Sequence, residues 1–246
     1  MWLHRWNDAL MSFRIRRDPA YAFTPGQFAR IGLRKPGGQA IWRAYSIVSA
    51  PDEAFLEFFL VVVPTGEFSS RVAQLIVGDR MRVEKQSQGF LTADRFKDGR
   101  DLWLLATGTG LAPYISMLRD HAVWQRFAHI VLVLSVRERR DLGYLEEIEA
   151  LVTRSGTDPH GRAKLTFVKT LTREAAEDAL HGRIPALIES GALEKAAGLS
   201  LTDVNSRFML CGNPEMVESM RALLKARGFR MNRKLEPGHI IVENYW

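Results

Sequence analysis

The chain has 246 residues, 46% of them apolar, which is enough for two modest domains with their own cores and too apolar for a disordered chain. The formal charge is +6 with arginine in excess of lysine, a balance that suits anionic cofactors or an acidic protein partner; the arginines are scattered, without the dense block a nucleic-acid binder would carry. One cysteine, Cys211, excludes an intramolecular disulfide; no Cys/His cluster suggests a metal, and no apolar run reaches about 18 residues, so a soluble cytoplasmic protein without a signal peptide or membrane span is expected.

Up to about residue 97, short strand-like runs alternate with Gly/Pro punctuation. The strands expected are Ser12–Arg17, Gln27–Leu33, Ala44–Ser49, Phe55–Val63 and Asp79–Glu84, with a short helix at Ser69–Leu75. Thr24-Pro25-Gly26, Pro36-Gly37-Gly38, Ala50-Pro51-Asp52 and Pro64-Thr65-Gly66 separate them, a rhythm that predicts an antiparallel barrel or sandwich. Within this half, Arg43-Ala44-Tyr45-Ser46 reads as part of a core strand. Alternation puts Arg43 and Tyr45 on one face and Ser46 on the other, so a charged fork, a flat ring and a hydroxyl line one short edge.

After Asp98-Gly99-Arg100-Asp101 the rhythm changes. Leu102–Ala106, Ile130–Ser135, Leu165–Val168 and Phe208–Cys211 are short continuous apolar runs, the pattern of strands buried on both faces. Helices are predicted after them, from near Leu111 and at Tyr144–Arg154, Ile184–Glu189 and Pro214–Ala226, which describes a parallel α/β sheet. Thr170–Asn205 is the least regular stretch. The division predicts two domains, residues 1–97 and 98–246.

In open α/β sheets, ligands lie beyond the carboxyl ends of the strands. The first run ends in Thr107-Gly108-Thr109-Gly110-Leu111-Ala112-Pro113, where glycines allow close backbone approach and a helix start offers N–H groups to phosphate; many such turns are plain connectors, and Pro113 stands where a third glycine of a dinucleotide fingerprint would be. The second ends in Val136-Arg137-Glu138-Arg139-Arg140, and the third in Thr172-Arg173, with Arg183 further on. Arginine forks there suit an adenosine 2′-phosphate, although a single such arginine is by itself an ordinary surface residue. The fourth ends in Cys211-Gly212-Asn213-Pro214, with Pro214 placed to open a helix and Cys211 readable also as a buried structural thiol. The sequence closes on a strand-like run with two aromatics, Tyr245 and Trp246, suited either to filling a core gap or to lying against a flat ligand.

Taken together and in this order, RAYS, GTGLAP, the arginine set with CGNP, and the aromatic end resemble the ferredoxin–NADP reductase family. The likeness is strongest to bacterial flavodoxin/ferredoxin–NADP reductases that end in tryptophan, and it spans nearly the whole chain through GRIPALIESGAL and LCGNPEMV. The resemblance implies an antiparallel β-barrel that binds FAD, followed by an α/β parallel-sheet domain that binds NADP. It implies that Arg43 meets the FAD pyrophosphate, with Ala44 beside it, that Tyr45 lies by the isoalloxazine, and that Ser46 hydrogen-bonds near flavin N5. Gly66-Glu67-Phe68-Ser69 is similar to a second phosphate loop; Glu67 departs from that pattern and leaves the contacts to backbone N–H groups. Thr109 resembles the residue where flavin and nicotinamide meet. Thr107, Gly108, Gly110, Thr172, Arg137, Arg173, Arg183, Cys211, Gly212, Asn213 and Pro214 would line NADP(H). Cys211 and Glu243 match residues beside the hydride-transfer site, and with Ser46 they make the catalytic set. Tyr245 and Trp246 resemble terminal aromatics that cover FAD.

The implied activity is electron transfer between NADPH and a one-electron carrier, an acidic ferredoxin or flavodoxin, by a monomer that binds no nucleic acid. Arg14, Arg16, Arg17, Arg80, Arg82 and Lys85 are candidates for a basic docking rim. Two alternatives remain at this point: a reductase of the same fold serving an oxygenase or free flavin, and a nucleotide-binding regulatory protein without turnover.

Overall fold

The computed structural model describes residues 2–34, 37–156 and 163–244. The chain divides into two compact units, Met1–Thr92 with Ala112–Asp120, and Ala93–Leu111 with His121–Trp246.

The first unit contains β1 (Trp2–Arg5), β2 (Leu10–Arg16), β3 (Phe28–Arg34), β4 (Ala40–Ser46), β5 (Phe55–Val61), α1 (Ser69–Val72), β6 (Arg82–Val83) and α2 (Ala112–Arg119). Its strands form two antiparallel three-stranded sheets, ordered β1-β2-β5 and β4-β3-β6. An isolated bridge from Ile47 to Phe58, and the Val48 N–H donated to the Glu57 carbonyl at 2.8 Å, carry β4 across to β5. Period-two alternation builds the core: Phe13 and Ile15 of β2, Leu56 and Phe58 of β5, and Ala29, Ile31 and Leu33 of β3 point to one cluster.

Arg43–Ser46 does not occupy the core position expected from the sequence. Strand β4 is an edge strand, paired with β3 alone, and Arg43 and Ala44 are exposed while Ile41 on the same strand is buried. The apolar residues flanking the motif, Ile41 before it and Ile47 after it, serve the core, while Arg43 and Ala44 between them face outward.

Strand β5 places Glu57 on the face opposite that core, yet the carboxylate is fully buried. Arg14 Nε reaches it at 3.0 Å and Arg119 Nη1, from α2, at 2.9 Å. A buried carboxylate persists only when charged donors replace its water, and two guanidinium groups do so here. Arg14 also lies over the Trp2 and Phe55 rings, at 4.5 and 4.2 Å from their centroids.

The second unit contains β7 (Asp101–Thr107), α3 (His121–Arg126), β8 (His129–Val136), α4 (Leu145–Gly156), β9 (Lys164–Leu171), β10 (Leu180–His181), α5 (Ile184–Glu189), α6 (Ala192–Ala197), β11 (Ser206–Gly212), α7 (Pro214–Ala226) and β12 (Ile240–Asn244). Its parallel sheet has the order β10-β9-β8-β7-β11-β12. Every residue of β11 and all but the ends of β7 and β8 are buried, which is why these segments read as unbroken apolar runs. One face packs Trp103, Leu105, Val131, Val133, Val168, Phe208 and Leu210 against α5, α6 and α7. On the other face Lys169 of β9 reaches Glu149 of α4 at 3.3 Å.

The helix expected from near Leu111 is preceded by a 3-10 turn at Gly108–Leu111, and α2 starts at Ala112. Strand β1 was not foreseen, and β10 and α6 fill the irregular stretch 170–205. Among the described residues, no helix is long and apolar enough to cross a membrane and no His/Cys/Asp/Glu group could hold a metal ion.

Candidate functional site

In the first unit, the RAYS edge of β4 and the loop before α1 come together. The Tyr45 and Phe68 rings lie 5.7 Å apart, tilted by 30°. Burial pushes the Tyr45 phenol up to about 12, against a smaller opposing pull from Arg43, so it is neutral at physiological pH and can donate a hydrogen bond. Arg43 is exposed, donates to the Trp42 carbonyl at 2.8 Å, and has no carboxylate partner among the described residues. Ser46, on the opposite face, is buried.

The turn at residues 63–70 is tied internally. Gly66 N–H donates to the Val63 carbonyl at 2.9 Å, the Ser70 hydroxyl donates to the Gly66 carbonyl at 2.7 Å, and Ser69 Oγ accepts the Val63 N–H at 3.0 Å. A Cβ at Gly66 would stand 2.8 Å from Ser69 Oγ. This compact turn leads Glu67 and the N-cap residue Phe68 into Ser69, the first residue of α1, where N–H groups have no carbonyl within the helix to meet. An unpaired guanidinium, a neutral phenol and a shaped backbone turn fit a flat ring carrying a diphosphate.

The second unit brings distant motifs together at the carboxyl edge of its sheet. From central β7 the chain moves to β8, β9 and β10 on one side, then to β11 and β12 on the other. The switch point, where ligands bind in such sheets, therefore lies between the ends of β7 and β11. Thr107 and Gly212 meet there. Thr107 Oγ1 accepts the Asn213 N–H at 2.7 Å, and the Asn213 side chain caps α7 by accepting the Glu215 N–H at 2.7 Å, with Pro214 at the first helical position. Gly212 has φ +128°, and a Cβ on it would lie 2.1 Å from Thr107 Oγ1. Gly110 is constrained by space alone, since its Cβ would lie 2.4 Å from the Cys211 carbonyl oxygen. Thr109 stands in the same 3-10 turn.

The arginines after β8 are sorted by their partners. Arg139 pairs with Asp178, and Arg140 with Glu138 at 2.8 Å. Arg137 is exposed with no carboxylate partner among the described residues, and the same is true of Arg173 and Arg183. Backbone bonds continue the sheet past its strands: Thr172 N–H donates to the Val136 carbonyl at 3.1 Å and Arg173 N–H to the Arg137 carbonyl at 3.0 Å. The Thr172 hydroxyl also donates to Val136 O, at 3.3 Å. Arg183 is the N-cap residue of α5.

Cys211 and Glu243 are neighbours in the β11–β12 ladder and share a face. Burial raises the thiol of Cys211 well above its usual range, and the Glu243 carboxylate adds to this, so the thiol is neutral and a poor nucleophile. Tyr245 and Trp246 lie outside the described residues. Of the six residues expected to form a basic rim, Arg14 is committed to Glu57 and Arg17 to the carbonyls of Tyr21, Pro51 and Glu53, while Arg16, Arg80, Arg82 and Lys85 are exposed. Sequence reasoning missed Ser135 and Thr170, whose hydroxyls continue the row begun by Thr107; alternation along the two strands was the available signal.

Two family models match the chain, an oxidoreductase FAD-binding domain over residues 5–90 and an oxidoreductase NAD-binding domain over residues 104–222. They define a two-cofactor oxidoreductase. The chain is 42% identical over 245 residues to the flavodoxin/ferredoxin–NADP reductase of Shigella flexneri, covering 99% of this chain and 96% of that one. It is 36% identical to the ferredoxin–NADP reductase of Azotobacter vinelandii, covering 98% and 93%. A solved ferredoxin NADP+ reductase from Neisseria gonorrhoeae, with bound FAD and NADP, superimposes with a TM-score of 0.93 at 37% identity over 99% of this chain and 96% of that one. The chain belongs to the flavodoxin/ferredoxin–NADP reductase family.

Proposed function

We propose that this protein carries FAD on residues 1–97 and NADP(H) on residues 98–246, and moves electrons between NADPH and an acidic ferredoxin or flavodoxin. The observation that supports this most is the carboxyl edge of the parallel sheet, where Thr107, Gly212 and the α7 start meet at the switch point and Arg137, Arg173 and Arg183 stand without carboxylates. When bound, FAD and NADPH supply the exchange between a two-electron donor and a one-electron carrier.

The chain's own residues bind and orient. Arg43 neutralises a flavin diphosphate together with backbone N–H groups at the entry to α1, and the neutral Tyr45, backed by the buried Phe68, offers its ring to a flat ligand. Ser46 offers a hydroxyl at the end of β4. Gly110 and Gly212 keep the switch-point turns free of side chains. Cys211, held neutral, packs rather than attacks, and Glu243 beside it is the candidate acid for holding a proton. Tyr245 and Trp246 are assigned to covering FAD. Exposed Arg16, Arg80, Arg82 and Lys85 form the steering set for an acidic carrier, acting on association rate and losing effect as salt rises. The protein works as a cytoplasmic monomer.

The test is the visible spectrum of the purified protein before and after anaerobic NADPH, followed by NADPH-dependent reduction of ferredoxin or flavodoxin against free flavin. A yellow protein that bleaches and prefers the protein carrier is expected; a colourless one, or one preferring free flavin, rejects the reading. Replacing Arg43 by alanine is expected to weaken FAD by about 1.5–3 kcal/mol, the scale of hydrogen bonds to a charged group, measured by flavin release on dilution. Arg137→Ala and Arg173→Ala should each raise KM for NADPH roughly tenfold and leave KM for NADH nearly unchanged, since a charged hydrogen bond to the 2′-phosphate is the interaction lost. Equal losses with both nucleotides would reject the assignment.

A further inference from the structure

The apolar face of the parallel sheet that packs against α5, α6 and α7 ends in hydroxyls. Leu105, Val133 and Val168 belong to that core face. Two residues further along each strand, on the same face by alternation, stand Thr107, Ser135 and Thr170. The ladder register makes them neighbours, Thr107 beside Ser135 and Ser135 beside Thr170, with strands about 4.8 Å apart. Core strands buried on both faces have no packing need for this row.

The hydrogen bonding of the row is incomplete. Thr170 is fully buried and its Oγ1 has no partner. Ser135 is 6% exposed, and its hydroxyl has no partner among the described residues. Thr107 Oγ1 accepts the Asn213 N–H, and no acceptor for its own proton is found among the described residues. A buried hydroxyl without a partner costs about 1–3 kcal/mol, a cost that apolar side chains of the same shape would avoid. Three adjacent hydroxyls with protons to give, at the edge where this fold class binds ligands, form a donor set that waits for an acceptor.

The position in the row says which acceptor. On the reading proposed above, one end of the dinucleotide lies at Cys211–Gly212 of β11 and its 2′-phosphate lies at Arg137 and Arg173, beyond β8 and β9. What joins the two ends must pass β7 and β8, the strands of Thr107 and Ser135. The joining group of a dinucleotide is a diphosphate, which offers charged oxygen acceptors and no donors.

We propose that Ser135 is a diphosphate-binding residue of the nucleotide site, donating its hydroxyl to a phosphate oxygen beside Thr107, and that Thr170 is a positioning residue behind it. Turning the Ser135 hydroxyl toward a phosphate brings its oxygen round to accept from Thr170 O–H, which has no partner in the present arrangement. Thr170 thus acts through Ser135 and does not touch the ligand.

The proposal rests on the NADP reading and is tested by calorimetric titration of the FAD-loaded protein with NADP+ and with 2′-AMP, which carries the 2′-phosphate but no diphosphate. Ser135→Ala is expected to weaken NADP+ about tenfold, the scale of one hydrogen bond to a charged group, and to leave 2′-AMP within twofold of the parent. Ser135→Thr, which keeps the hydroxyl, should restore most NADP+ affinity. Thr170→Val should melt at or above the parent temperature without nucleotide, because the orphan hydroxyl is gone, yet bind NADP+ several-fold more weakly. Unchanged NADP+ binding in Ser135→Ala, equal loss of both ligands, or a more stable Thr170→Val that binds NADP+ like the parent would overturn the assignment while leaving the nucleotide reading intact. A parent protein that binds neither ligand would overturn both.

Discussion

Gly212→Ala is expected to destabilise the protein by roughly 3–5 kcal/mol, the sum of backbone strain and overpacking at one site. Gly212 combines a φ of +128° with a Cβ position 2.1 Å from Thr107 Oγ1 and 2.7 Å from the Thr107 carbonyl oxygen. Neither neighbour can yield cheaply. The carbonyl is β7 backbone, and the hydroxyl is held by the Asn213 N–H. Relief requires the ends of β7 and β11 to part, which breaks the switch point and the cap of α7. At this chain length such a loss lowers Tm by roughly 10 °C or more. Two companion variants separate the causes. Gly110→Ala meets the Cys211 carbonyl without a left-handed φ, so it suffers the steric part alone. Gly108→Ala has φ +52° with nothing within 4 Å of its Cβ, so only the conformational cost of about 1–2 kcal/mol applies. Thermal melts with NADP+ titrations check the order, which should be Gly212, then Gly110, then Gly108. If Gly212→Ala melts with Gly108→Ala, the two strand ends are not packed as described.

The other large effect belongs to the first unit. Replacing Glu57 by alanine should cost about 3 kcal/mol, the low end of the range for removing one partner of a buried ion pair, because Arg14 and Arg119 lose the carboxylate between them and Arg119 keeps the longer contact to Glu53 at 3.5 Å. Arg119 is the more buried of the two, with side-chain exposure of 14% against 32% for Arg14, and should carry more of the penalty. The loss spreads along the chain. The Glu57 N–H donates to Ser49 Oγ at 3.2 Å, the Ser116 hydroxyl of α2 donates to the Ser49 carbonyl at 2.7 Å, and the Val48 N–H donates to the Glu57 carbonyl. Ser46 opens the loop that these bonds pin, so Glu57→Ala should also release flavin faster than the parent. Arg119→Met in the Glu57→Ala background should recover part of the stability, since removing both partners leaves fewer stranded charges. Strict additivity of the two substitutions in urea melts would show that the pair is not coupled.

Local pattern sufficed for the kinds of element and for the turns that bear the chemistry. LWLLA, IVLVLS and FMLC read as buried parallel strands because residues hidden on both faces leave no polar alternation, and β7, β8 and β11 lie on those runs. The helix at Pro214–Ala226 was legible from its Asn-Pro start, and GTG and CGN were legible as turns because glycine marks places where a Cβ will not fit. What pairing decides was not legible. Strand order alone puts residue 107 against residue 212, and register alone lines Thr107, Ser135 and Thr170 on one edge. Within RERR, the choice of Arg137 as the uncompensated arginine depends on Asp178, which occupies Arg139 from beyond β9. Glu57 looks in sequence like the solvent-facing member of an alternating strand; Arg119, 62 positions away, makes it the centre of a buried network. Strand β1 and two-residue β10 escaped notice because their hydrogen bonds come from β2 and β9 rather than from strong propensities of their own. Periodicity and glycine placement are properties of neighbours along the chain, so sequence carries them. The partner of a charge or a strand is a property of neighbours in space, and only the packed tertiary structure selects it.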